Sequence, residues 1–62
     1  MSVKRRDLVK YFEQHGYRLL REGANHAIYI NGIKVIPIKR HRQLDRITAN
    51  ELCKQAGLVP VF

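Results

Sequence analysis

Scarcity defines this 62-residue sequence: one cysteine, two prolines, no tryptophan, and five acidic residues against twelve Lys and Arg. A single cysteine closes no internal disulfide, which suits a reducing compartment, and a cytoplasmic protein is expected. His15, His26, His41 and Cys53 form no C-x-x-C or H-x-x-x-H pair and have no neighbouring carboxylate pair, so no metal site is expected. No apolar run is long enough to cross a membrane, and none follows the basic start Met1–Arg6 as a signal peptide would need. The shortage of acid leaves a net charge of +7. Polyanions, chiefly nucleic acid, are the natural partners of such a field, with an acidic protein second. A membrane surface fits poorly, because no segment pairs a basic face with a strongly apolar one.

What is present can fold. A hydrophobic content of 45% argues against disorder, and 62 residues make one domain, 1–62. A chain this short buries only about 60% of its unfolded surface, so it cannot keep a core and also hold a deep cofactor pocket. No cofactor is expected.

The organising stretch is Gly23 to Gly32. Residues His26 to Ile30 alternate as a strand and run into Asn31-Gly32, a strong signal for a two-residue type I′ hairpin. That turn predicts Ile30 opposite Ile33, Ile28 opposite Val35 and His26 opposite Pro37, with Lys39 diagonal to His26. His26, Ile28, Ile30, Ile33, Val35 and Pro37 would then share the face under the helices, leaving Ala27, Tyr29, Lys34 and Ile36 on the other.

Around the hairpin, a first helix is predicted from about Lys4 to His15, capped by Ser2 and ended by Gly16, with Leu8, Val9, Tyr11 and Phe12 as its apolar stripe. Tyr17–Arg21 reads as a first strand, Glu22–Asn25 as a turn, and Ile33–Ile38 as a third strand placed at the edge by Pro37. After a basic loop, Lys39–Gln43, a second helix is predicted over Arg46–Ala56. Asp45 is its N-cap, Thr48-x-x-Glu51 an alternative capping box, and Ala49, Leu52, Cys53 and Ala56 its buried stripe. The fold class is α+β: helix, three-stranded antiparallel sheet, helix, with both helices on one sheet face, as in a double-stranded-RNA-binding domain.

Few residues offer chemistry. Ser2 lies at an end, Cys53 falls on a packing stripe, and the tyrosines read as packing residues. His15 ends a helix, and His41 stands among Lys39, Arg40 and Arg42, where phosphate contact is the natural role. His26 is the one titratable group on its hairpin face, at the open end and beside the basic loop. On geometry alone it is either a rim histidine satisfied by a backbone group or a proton-transfer group. Lys39, Arg40, His41 and Arg42, with Lys4 and Arg5, are the candidate RNA-binding residues. Lys4-Arg5-Arg6 also reads as a solvated helix start, although cations there oppose the helix dipole.

Several segments together resemble one family. The helix ending in Gly16-Tyr17, the run Arg21-Glu22-Gly23-Ala24-Asn25-His26-Ala27-Ile28-Tyr29, Ile36-Pro37 with Arg40-His41, and Leu52-Cys53-Lys54-Gln55-Ala56-Gly57-Leu58 are similar to HicA toxins. These are the small YcfA-type mRNA interferases of HicA–HicB toxin–antitoxin pairs. The resemblance covers nearly the whole chain. It implies a double-stranded-RNA-binding-like fold, metal-independent endoribonuclease cleavage of mRNA, and neutralisation by a HicB-type antitoxin. The family's catalytic histidine, at the start of the second strand, carries over to His26. Many members read Gly-Ser-His-His there, where this chain has Gly23-Ala24-Asn25-His26-Ala27. Without a metal, such cleavage needs a base for the 2′-hydroxyl proton, an acid for the leaving oxygen, and cations for the phosphorane charge. The alternatives are a non-catalytic RNA-binding module of the same fold, and a protein whose positive face serves to dock an acidic partner.

Overall fold

Leu8 and Phe12, one turn apart on the first helix, are withdrawn completely from solvent and anchor the core. The computed structural model describes residues 2–62. In chain order the elements are β1 (Ser2–Lys4), α1 (Arg5–Gln14), β2 (Arg18–Glu22), β3 (His26–Ile30), β4 (Val35–Lys39), β5 (Gln43–Asp45) and α2 (Arg46–Gln55). The predicted α+β arrangement is present. The antiparallel sheet runs β2–β3–β4 in space, so Pro37 lies on an edge strand, where its missing N–H leaves no central ladder broken. Leu8 and Phe12 of α1 and Ala49 and Cys53 of α2 join Ala27, Tyr29, Ile36 and Ile38 of the sheet in one buried cluster.

That cluster lies on the opposite sheet face from the one predicted. Ala27, Tyr29, Ile36 and Ile38 are buried, whereas His26, Val35, Pro37 and Lys39 are exposed and Ile28 and Ile30 only half-buried. The loop keeps the same residues on each face but bears on which face is buried, through where it leaves Lys34. Asn31 Oδ1 accepts the N–H groups of Ile33 (3.1 Å) and Lys34 (2.7 Å), and Asn31 N–H donates to Lys34 O at 3.2 Å. The side chain thus builds an Asx-type turn. Gly32 has φ +95°, while no non-glycine among the described residues has positive φ, so the turn is not type I′. Asn31 to Lys34 form a four-residue loop, and Ile30 pairs with Val35, Ile28 with Pro37 and His26 with Lys39. Lys34 therefore leaves the ladder, so the Ala27–Tyr29–Ile36–Ile38 face carries no charge from β3 or β4 and only the exposed Glu22, at its margin, from β2. The rival face ends in His26 and Lys39 and gains Arg18 and Arg21 from β2. Burying those charges unpaired would cost far more than exposing a few isoleucines.

A short ribbon, β1 with β5, was not anticipated. It pairs Ser2 with Asp45, Val3 with Leu44 and Lys4 with Gln43, and buries Leu44. It also corrects the first helix cap. Ser2 is drawn into the ribbon, where its Oγ donates to Gln43 Oε1 at 2.8 Å. Lys4 holds the N-cap position without a side-chain cap, and Arg5 N–H, one of the helix's orphan donors, finds Arg42 O at 2.8 Å. At α2 the predicted cap is present: Asp45 Oδ2 accepts Ile47 N–H at 3.1 Å. The Thr48–Glu51 box is not the start of that helix.

The chain after α2 ties both helices together. Tyr17, buried against Phe12, donates its hydroxyl to Ala56 O at 2.9 Å. Tyr11 Oη donates to Val59 O at 2.8 Å, and Asn50 exchanges two hydrogen bonds with the Phe62 backbone. These bonds fix 58–62 across the helices, away from the open sheet face.

Candidate functional site

His26 opens β3 and stands exposed on the sheet face that no helix covers. Its approach is a tight turn. Gly23 N–H donates to His26 O at 2.7 Å, closing the turn across Ala24 and Asn25. A Cβ on Gly23 would meet that same carbonyl at 3.3 Å, so the closeness itself favours glycine here.

Arg40, just beyond β4, holds the turn from the far side. Its N–H donates to Asn25 O at 3.1 Å, its Nη1 to Gly23 O at 3.0 Å, and its Nη2 lies 3.9 Å from Glu22 Oε2. The guanidinium is half-exposed, so the ion pair contributes little, while the two bonds to carbonyls fix geometry. Arg40 is thus tied to the segment that presents His26.

The other sequence candidates divide into two groups. Lys39 stands directly opposite His26 rather than diagonal to it. Lys4, Arg5 and Arg42 gather instead at the start of α1, where with Arg6 and Gln43 they line an open cleft of about 450 Å³. Arg5 ties the two groups: its N–H bonds Arg42 O and its Nε donates to Lys39 O at 3.0 Å, clamping both ends of the basic loop. The start of α1 is therefore an organised cationic surface. His41 is exposed in the loop between.

Sequence reasoning missed Arg21. It lines a second open cleft, of about 350 Å³, together with Glu22 to His26 and Ile28. No alternation pattern could have found it, because its orientation depends on an irregularity in β2.

The remaining chemical groups are structural. Cys53 is fully buried, and burial pushes its thiol above the usual value, backbone hydrogen bonds opposing only in part. His15 Nδ1 lies 2.9 Å from Tyr11 O, and its ring packs edge-on against Tyr11 with centroids 4.6 Å apart.

The described surface therefore offers an exposed imidazole on a braced turn, a cation opposite it, and a basic shelf reached through Arg5. In comparison with known proteins, the family model described as the HicA toxin of bacterial toxin–antitoxin systems matches residues 5–58. No curated protein and no solved structure matches the chain.

Proposed function

Because the chain belongs to the HicA toxin family of bacterial toxin–antitoxin systems, we propose that it is an mRNA interferase: a metal-independent endoribonuclease with His26 as its proton-transfer group. A toxin of this family implies an antitoxin partner, and the finer reading is a HicB-type antitoxin. The observation that carries the catalytic reading is the placement of His26. It is exposed at the end of the uncovered sheet face, on a turn braced by Arg40 and directly opposite Lys39.

The chemistry follows from those groups. The 2′-hydroxyl oxygen attacks the adjacent phosphorus, the P–O5′ bond breaks, and the products are a 2′,3′-cyclic phosphate and a 5′-hydroxyl. One proton leaves the 2′-oxygen and one reaches the 5′-oxygen. Imidazole serves either transfer, as base or as acid. Negative charge grows on the phosphorane oxygens, and Lys39, opposite His26, is the cation assigned to it in this reading. Lys4, Arg5, Arg40, His41 and Arg42 carry the RNA backbone away from the cut. The proposed setting is the cytoplasm, where mRNA and antitoxin are found.

Incubation of the purified protein with a single-stranded transcript in EDTA tests this. Cleavage that disappears with a 2′-deoxy nucleotide at the cut site supports it. Binding without cleavage points instead to a non-catalytic RNA-binding module.

A further inference from the structure

Strand β2 contains one residue too many. Arg18 pairs with Ile30 and Leu19 with Tyr29, but the register then slips, so that Arg21 pairs with Ile28 and Glu22 with Ala27. Leu20 is the extra residue. Had the ladder continued unbroken, Leu20 would face Ile28 and Arg21 would face Ala27, which is fully buried under the helices. The bulge turns Arg21 to the other side. There it shares a face with Ile28, hence with His26, and lines the same cleft as His26. Bulges re-aim side chains in this way, and they gather beside functional sites.

We propose that Arg21 is a further catalytic residue, its guanidinium meeting the scissile phosphate beside His26, and that the bulge at Leu20 is the device that puts it there. The proposal rests on the reading of His26 as the proton-transfer group. Three observations support it. Arg21 and His26 are diagonal neighbours across β2 and β3, a relation that separates residues by roughly 7–8 Å, about the span a bridging phosphate needs. Lys39 flanks His26 from β4, so the central strand would hold the imidazole between a cation on each side. Finally, Arg40 and Arg5 have side chains tied to backbone carbonyls, whereas Arg21 makes no ion pair among the described residues. A guanidinium left free beside an imidazole presents paired N–H donors suited to two phosphate oxygens.

The test uses Arg21→Gln and Arg21→Lys in the full chain, both at an exposed position. Single-turnover cleavage in EDTA should slow about a hundredfold or more in Arg21→Gln, the scale of losing one donor to a developing oxyanion. RNA affinity should change far less, and Arg21→Lys should recover part of the rate. A parallel measurement needs no activity. Inorganic phosphate titrated into the wild-type protein should shift the His26 ring and Arg21 side-chain NMR signals together, and Arg21→Gln should abolish the His26 shift. Wild-type kcat in Arg21→Gln overturns the proposal, as does a defect confined to KM. So does a phosphate titration that never moves His26. If the wild-type protein cleaves no RNA, the proposed function fails, and the titration alone still decides whether Arg21 and His26 form one anion site.

Discussion

Lys39 stands directly opposite His26 in the β3–β4 ladder, two residues further along the chain than a two-residue Asn31-Gly32 turn would bring. The Asn31 side chain is the cause, since its Oδ1 accepts two N–H groups and widens the loop to four residues. Asn31→Ala removes both bonds, and a loss of about 1–3 kcal/mol is expected at net values of about 0.5–1.5 kcal/mol per bond. Urea unfolding checks this. No loss of stability would mean that the loop register is set by something other than Asn31.

The sheet has a sided core, and the two sides should respond differently. Ile38→Ala empties a fully buried site and should cost about 2–5 kcal/mol, a large share of the stability of so small a domain. Val35→Thr, on the open face at 53% exposure, should stay within about 0.5 kcal/mol of wild type. Equal losses in urea titrations would contradict the burial described above.

Much of this fold is legible in the sequence, and the failures have one physical origin. Asp45, Gly16, Pro37 and the stripes through Leu8, Phe12, Ala49 and Cys53 act locally, so spacing alone places both helices and the edge strand. The covered face could not be chosen that way. Ala27-Ile28-Tyr29-Ile30 is apolar on both sides, and alternation has no sign. The choice follows from where Lys34 falls and from what β2 adds, which are a side-chain-built loop and a bulge. The β1–β5 ribbon was hidden for a related reason: three-residue strands forty residues apart leave no periodicity. His26 could be singled out from its place at the head of a strand, but Arg21 could not.

Arg40 braces the turn that carries His26 with its backbone N–H on Asn25 O and its Nη1 on Gly23 O, and Arg40→Ala removes the second bond. Arg40→Ala should therefore loosen the turn while the core persists. The Gly23 amide, which now donates to His26 O, should exchange with solvent at least about tenfold faster, the factor that 1.4 kcal/mol of lost local stability gives. Unchanged exchange would leave the Arg40 side chain with no bracing role.

Alkaline solution should destabilise the fold. Burial raises the Tyr17 hydroxyl above its ordinary 10.0 and the Cys53 thiol above 9.0. Both groups therefore hold protons more tightly folded than unfolded. Between the unfolded and folded values the unfolded chain binds fewer protons, so stability falls as pH rises. The contribution is intact below about pH 9 and is lost as pH climbs through the raised values. Melting temperatures taken from pH 7 to 11 should decline above pH 9, and less steeply in Tyr17→Phe and Cys53→Ala. The same decline in both variants would assign the loss to other groups.

Charge should act by position. RNA affinity should fall steeply with salt, and each phosphate contact removed at Lys4, Lys39 or Arg42 should reduce the logarithmic slope by about 1. A slope untouched by all three substitutions would move the RNA path elsewhere on the molecule.

If the His26 imidazole moves protons during RNA cleavage, transcript cleavage in EDTA by wild type, His26→Ala and His26→Gln will show it. His26 is exposed at the end of the sheet, so both variants should remain folded by circular dichroism and bind RNA with nearly unchanged affinity. Losing a general acid or base slows a reaction by about a hundredfold to ten-thousandfold, and both variants should fall by that much, because glutamine hydrogen-bonds but shuttles no proton. Wild-type cleavage by the folded His26→Gln protein would contradict the account and leave His26 a structural residue.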